Sequence, residues 1–260
     1  MSKLKKFLPA SILAIILALS LAVLWLSDHY VVPIIMYHHV RYTQKAENNS
    51  VSPEIFEWQM RYLSKNNFRV LSLDELVQGV KAKKKFSHRS VVITFDDGYD
   101  DNYTYAYPIL KKYRFPAIIF LPSELINTPG FLTWDQLKEM NQNGIDVGAH
   151  TMHHAYLPDL KPDDQLHEIK GSKETIEKKM GLTVKYFAYP SGGFSEPIKD
   201  MLKKSGYEGA CTTNRGPIRF GKDVYQLKRV RFSESDDKES ELWIKLSGYY
   251  NLFRVKKKPY

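Results

Sequence analysis

A single cysteine, Cys211, in 260 residues excludes an intramolecular disulfide framework and any multi-cysteine zinc site. Histidine is absent beyond His167, so no C-terminal histidine can take part in chemistry. From residue 29 onward there is no internal repeat, no low-complexity stretch and no Pro/Gly/Ser-rich linker, and residues 29–260 read as one domain. Excess charge is also scarce in the body. The formal net charge is +9, but six lysines stand at the ends (Lys3, Lys5, Lys6, Lys256, Lys257, Lys258), and without them the excess is three. A basic stripe for nucleic acid is therefore not expected, and no obligate protein partner is predicted. With 43% hydrophobic and 26% charged residues, the chain is too apolar to be disordered.

One long uncharged run is present. Residues 7–27, FLPASILAIILALSLAVLWLS, follow the first three lysines. A bilayer core takes roughly 20 apolar residues as helix, and flanking lysines keep their side of a span in the cytoplasm. Trp25 and Tyr30 fall where an outer interface places aromatics. The expectation is that residues 1–28 form a cytoplasmic stub and a transmembrane signal anchor, with the remainder extracytoplasmic. A cleaved signal peptide, with Ala18 and Ser20 at the small-residue site, is the alternative and gives a secreted protein.

The rest alternates strand-like and helix-like runs. IIMY (34–37), FRVL (68–71), VVITF (91–95), AIIFL (117–121), IDVGA (145–149), VKYFAY (184–189), YEGACTT (207–213) and QLKRVRF (226–232) are the strand candidates. Between them stand helix signals. Ser52-Pro53 gives an N-cap followed by proline, and Ser72…Glu75 and Thr133…Gln136 give capping-box patterns. Leu73, Leu76, Val77 and Val80 recur at helical spacing. Repeated β-then-α units imply a mostly parallel sheet, and seven or eight of them favour a distorted (β/α) barrel. In such folds the chemistry gathers at the C-terminal ends of the strands.

Reactive residues do follow the strands. VVITF runs into Asp96-Asp97-Gly98, IDVGA into His150-Thr-Met-His153-His154, IIMY into His38-His39, and VKYFAY into Pro190-Ser-Gly-Gly193. Asp-Asp-Gly alone also makes a turn, and a histidine pair alone is often a surface feature. Together, carboxylates and imidazoles are the ligand set of a zinc site with an open position. His150 and His154 can converge if the chain turns helically after the strand.

TFDDG (94–98) and HTMHH (150–154), in this order and separation, resemble the motifs of the polysaccharide deacetylase family of carbohydrate esterases. VPIIMYHHV (32–40) and FAYPSGG (187–193) are more similar to the branch acting on poly-β-1,6-linked N-acetylglucosamine. The resemblance implies that Asp97, His150 and His154 hold Zn²⁺ or another divalent transition metal, and that Asp96 is the general base. His38, with His39 as alternative, takes the place of the C-terminal Leu-x-His acid, which is absent. The family places an oxyanion donor at Ser191, beside Pro190. Two departures stand out: the arginine that orients the base is missing from FAYPSGG, leaving Arg229 or Arg231 to replace it, and Ser191 stands where an aromatic is usual. Trp134 and Tyr189 are candidates for stacking on a sugar ring, with core packing as the competing reading.

The resulting expectation is a metal-dependent hydrolase that removes N-acetyl groups from an extracellular polysaccharide of the poly-β-1,6-N-acetylglucosamine type. Peptidoglycan or a chitin-like oligosaccharide is the alternative substrate. A non-catalytic carbohydrate-binding protein retaining the fold is the alternative of another class.

Overall fold

The computed structural model describes residues 4–44, 47–214 and 223–254, with the side chains of residues 4–11, 28 and 253 left out. Helix α1, Leu4–His29, precedes the domain, and its described apolar side chains from Ile12 to Leu26 are uncovered by the rest of the chain. Among the described residues no helix is long and apolar enough to cross a membrane. The backbone of the span expected at residues 7–27 lies within α1 and its side chains are described from residue 12, so the described residues give the expected transmembrane helix no support; the lysines at 256–258 lie outside them.

Strands β1 (Ile34–Tyr37), β2 (His39–Val40) and β3 (Ser50–Val51) lead into α2, Pro53–Lys65, capped by the Ser52 side chain. Then come β4 (Arg69–Leu71), α3 (Leu73–Lys81), β5 (Ser90–Asp96), a π-turn over Asn102–Ala106 and α4 (Tyr107–Tyr113). The pairs β6/α5 (Ala117–Leu121, Trp134–Gln142), β7/α6 (Ile145–Ala149, Pro162–Met180) and β8/α7 (Tyr186–Ala188, Glu196–Lys204) follow. The chain ends with β9 (Gly209–Thr212), β10 (Leu227–Lys228), β11 (Val230–Arg231) and α8 (Glu239–Leu246).

All pairings in the main sheet are parallel, in the order β10-β9-β8-β7-β6-β5-β1-β11, with β4 added on β5. The two ends of that path are neighbours in sequence. Leu227 pairs with Cys211 of β9, and three residues on Val230 pairs with Ile35 of β1. One short stretch of chain thus bridges both edges and closes the barrel. The sequence gives no hint that QLKRVRF would break in two; the break falls at Arg229, whose side chain turns inward.

Strand alternation sorts the apolar residues into two clusters. Ile35, Ile93, Ile119 and Phe187 face outward beneath the helices, packing with Phe56, Met60 and Leu63 of α2. Ile34, Val92, Ile118, Phe120, Ala188 and Cys211 fill the barrel, joined by Leu73, Leu76, Val77 and Val80 of α3. Helix α3 therefore does not lie against the barrel wall; it stoppers the mouth at the strands' N-terminal ends. Its Asp74 Oδ1 accepts from the Tyr186 hydroxyl on β8 at 2.7 Å, and its Gln78 Nε2 donates to Glu208 at 2.7 Å. Each buried Leu or Val of the stopper contributes about 1.5–3 kcal/mol. Closing this end leaves the C-terminal rim as the open one.

The helices outside the barrel run from the rim to the stoppered end. In four of them, α2, α6, α7 and α8, the first turn carries an acid (Glu54, Asp163, Glu196, Glu239) and the last a lysine (Lys65, Lys178, Lys203, Lys245). This arrangement suits the helix dipoles.

Candidate active site

Strand β5 is buried along its whole length and ends in Asp96. Asp97 and Gly98 then take left-handed conformations, φ 72° and 68°. Glycine is required at the second position, since a Cβ there would meet Leu121 Cδ2 at 2.8 Å. The reversal sends the two adjacent carboxylates apart. Asp96 points into the barrel, where Arg229 grips it with Nη1 to Oδ1 at 2.5 Å and Nη2 to Oδ2 at 2.6 Å. Nη1 also donates to Thr94 Oγ1 at 3.2 Å, and the guanidinium lies over the Phe120 ring. Burial raises the Asp96 pKa, but the charge of Arg229, then that of His150, and the Arg229 hydrogen bonds outweigh it. The carboxyl stays ionised, well below the usual carboxylate range.

Asp97 faces the other way, toward the chain after β7. The sequence suggests a helical turn there, but Thr151 and His154 are left-handed, φ 63° and 58°. Buried Glu168 holds the reversal: it accepts from the Met152 N–H at 2.7 Å, the His153 N–H at 3.1 Å and His153 Nδ1 at 2.7 Å. His153 is thereby turned away, while His150 and His154 still converge. Their Nε2 atoms lie 3.5 and 3.4 Å from the same Asp97 oxygen, Oδ1. That oxygen is buried without a hydrogen-bond partner. His150 Nδ1 bonds the Ala188 carbonyl at 2.6 Å, which assigns the ring proton to Nδ1 and leaves the Nε2 lone pair toward Asp97. Burial lowers the His150 pKa against the raising charges of Asp96 and Asp97, favouring the neutral ligand form. The three ligand atoms lie within 4.8 Å of one another. An orphaned carboxylate oxygen with two imidazole nitrogens fits a divalent transition metal bound by three protein ligands.

His38 follows β1 on the same rim. Burial lowers its pKa, opposed by Asp96 and Asp97, so it stands within reach of both charges. Its backbone carbonyl accepts from Asn102 Nδ2 at 2.8 Å. His39, the alternative acid, faces elsewhere: its Nδ1 pairs with Asp101 Oδ2 at 2.6 Å and its ring stacks on Tyr99 at 3.6 Å. Asp101 also accepts from the Val40 N–H and Asn102 Nδ2. The segment after Asp97 therefore clamps the His38-His39 loop against the site. Tyr99 is the residue that the sequence reading missed. Burial, and after it the charge of Asp97, raises the pKa of its hydroxyl, which stays protonated near that carboxylate. Its place two residues after Asp97, in the same turn, was the available signal.

The remaining expectations divide. Arg229 meets Asp96, whereas Arg231 is exposed. Ser191 stands after β8 in a left-handed turn, φ 53°, with Gly192 at φ 82° pressed so close that a Cβ would lie 2.2 Å from Thr213 Oγ1. Pro190 is buried beneath it. Tyr189 is enclosed in the core: its ring packs on Phe194 and its hydroxyl donates to the Tyr225 carbonyl at 2.9 Å, so it has no face for a sugar. The alternation of VKYFAY concealed this because both faces of β8 are covered. Trp134 opens α5 and is half-buried against the outer core.

Comparison with known proteins places this geometry. Residues 83–210, which carry β5 through β8, the start of β9 and both ligand motifs, match the family model for polysaccharide deacetylase. YxkH of Bacillus subtilis, itself assigned to the polysaccharide deacetylases, is 36% identical over 201 residues, covering 77% of this chain and 71% of its own. The poly-beta-1,6-N-acetyl-D-glucosamine N-deacetylase of Staphylococcus aureus is 29% identical over 227 residues, covering 80% of this chain and 76% of its own. The deacetylase PplD of Streptococcus pyogenes, solved with acetate, superposes with a TM-score of 0.78 at 29% identity, over 83% of this chain and 97% of that one. With its motifs seated on the rim of a closed parallel barrel, this chain belongs to the polysaccharide deacetylase family.

Proposed function

We propose that this protein is a membrane-anchored, zinc-dependent N-deacetylase of an extracellular polymer of the poly-β-1,6-N-acetylglucosamine type. The observation that carries the reading is the buried, unpartnered Asp97 Oδ1 facing His150 and His154, with the Arg229-held Asp96 next to it in sequence. The polymer type is supported by the 29% identical staphylococcal relative and by the histidines after β1. The anchor is supported by the uncovered apolar side chains of α1.

Asp97, His150 and His154 would hold the ion, which when bound would polarise the amide carbonyl and acidify water. Asp96, ionised and fixed in the barrel mouth, accepts the proton of the attacking water. His38 holds the proton that the departing sugar amine needs, since an amine anion is a poor leaving group. The Ser191 N–H, in its left-handed turn, is the donor for the developing oxyanion. Asn102 and Asp101 position the His38 loop. The products are acetate and a polymer carrying free amines.

The test is acetate release from a panel of N-acetylated polymers of defined linkage, with metal content measured on wild type and on Asp97→Ala, His150→Ala and His154→Ala. Each variant loses bound metal and turnover while remaining folded, and the β-1,6 polymer is the fastest substrate. Undiminished metal content in all three variants refutes the site. Preference for peptidoglycan or a β-1,4 polymer refutes the substrate assignment while leaving the chemistry intact.

A further inference from the structure

We infer that the stoppered end of the barrel lies on an anionic lipid surface, with Trp243 and Ile244 of α8 in the headgroup layer and the catalytic rim turned outward. The inference rests on the membrane reading above. Its observations are independent of the active site.

The first is where α1 joins the domain. Tyr30, the residue after α1, donates to the Ser87 carbonyl at 2.9 Å and stacks on His88 at 4.2 Å. Its ring also meets Tyr249 edge-on at 6.0 Å, and the Val31 N–H donates to the Gly248 carbonyl at 3.2 Å. The apolar helix therefore enters at the end opposite the metal ligands, between the segment after α3 and the segment after α8. Tyr and His rings at this junction have the amphipathic character of residues at a membrane interface.

The second observation is what flanks the junction. On one side Lys83, Lys84 and Lys85 are exposed, and none has a carboxylate partner among the described residues. On the other side, α8 buries Leu242 and Leu246 but leaves Trp243 68% and Ile244 48% exposed. The dipole of α8 accounts for charge at its ends and for neither of these apolar side chains. Adjacent exposed Trp and Ile beside a basic run are the two components of interfacial binding, apolar insertion and attraction to acidic headgroups. The last turns of the outer helices, ending in lysine, extend the same charge across this end. Asp74 and Glu208 also lie at this end, but Lys185 and Lys81 pair with them, so the three lysines at 83–85 remain as charge for acidic headgroups.

The buried Cys211 is the only cysteine, so one introduced thiol can be labelled selectively. The full chain carrying Ile244→Cys, or Leu166→Cys near the rim end of α6 as control, is labelled with an environment-sensitive dye. It is then reconstituted into vesicles of phosphatidylcholine with or without phosphatidylglycerol, containing lipids with nitroxide headgroup quenchers. With phosphatidylglycerol, the dye at 244 shifts to the blue and is quenched, and the dye at 166 is not. Replacing Lys83, Lys84 and Lys85 by serine lowers the docking equilibrium constant roughly fivefold per lysine, and screening by salt lowers it in part. Flotation in high salt is measured alongside and reads the anchor alone. A protein that floats while the dye at 244 stays as wet as that at 166 overturns the docking and leaves the anchor standing. A protein that floats only at low salt, with 244 quenched, removes the anchor and retains the docking; failure of both signals removes both.

Discussion

Replacing Arg229 by methionine keeps an unbranched side chain of similar reach and deletes the charge that faces Asp96. Both groups are buried, with the Arg229 side chain wholly inaccessible, and each Asp96 oxygen accepts one guanidinium N–H. Breaking one side of a buried pair costs about 3–5 kcal/mol, because the surviving charge has no partner and no water. In a domain of this size each kcal/mol moves the midpoint by roughly 2–4 °C, so Arg229→Met lowers Tm by on the order of 10 °C at pH 7. The sign with pH follows from the two pKa shifts. In the wild type the Asp96 pKa is depressed, so its contribution is fully present above the unfolded value of about 3.9 and fades only as pH falls through the lower folded value. In the variant, burial acts unopposed by Arg229 and raises that pKa. The ionised carboxylate then destabilises near neutrality and is relieved as it protonates. The Tm gap between the two proteins is therefore widest near pH 7 and narrows toward pH 4. Turnover moves with it: the acid limb of the pH profile shifts upward, since the base is now protonated over more of the range. Arg229→Lys keeps the charge without the fork and falls between the two. Circular dichroism melts of the detergent-solubilised full chain across pH, with acetate release, are the assays. A methionine variant with Tm within about 1 °C of wild type and an unmoved acid limb refutes the reasoning.

Two further outcomes follow from the same geometry. Tyr99→Phe removes the hydroxyl that feels the Asp97 charge while keeping the ring stacked on His39, so zinc affinity measured by chelator competition falls about 10- to 100-fold with Tm nearly unchanged; equal affinity assigns Tyr99 to packing alone. His38→Gln abolishes the alkaline limb of turnover, a limb that burial places below that of a free histidine, and leaves zinc content intact; a limb that persists in this variant sends the search for the acid elsewhere.

Local signals made much of this fold legible. Pro53 after a capping Ser52, and Thr133 with Gln136 in a reciprocal capping box, start α2 and α5 where the sequence places them. AIIFL and IDVGA coincide with β6 and β7, because a short apolar run bounded by turns has little freedom in an α/β fold. Long-range events were not legible. The apolar stripe Leu73, Leu76, Val77, Val80 announces a helix with one buried face, yet nothing local says that this face enters the barrel mouth. The left-handed turn at Thr151–His154 is likewise fixed by Glu168, fourteen residues beyond His154, so spacing alone suggested a helical convergence that the chain reaches by another path. The ligand motifs could be read because their chemistry is carried by adjacent residues. The base's partner could only be narrowed to Arg229 or Arg231, since which one points inward depends on where the last strand breaks.

That break ties closure of the barrel to its chemistry. Leu227 and Lys228 pair with β9, Val230 and Arg231 pair with β1, and Arg229 between them still gives its N–H to the Thr212 carbonyl at the end of β9, at 3.2 Å. Its side chain reaches through the barrel interior to Asp96 on β5, which is two strands from β11 in the sheet, with β1 between them. The resemblance implies a base-orienting arginine in the motif after β8, and FAYPSGG has none. Here the same charge arrives from the closing strand, through the interior, stacked on Phe120 and braced by Thr94. The exposed turn after β8 is thereby freed of that duty, which fits the serine and paired glycines at 191–193. Catalytic poise and closure then share one short segment: whatever shifts the register of Leu227–Arg231 by a single residue turns Arg229 out of the barrel and leaves Asp96 charged, buried and alone.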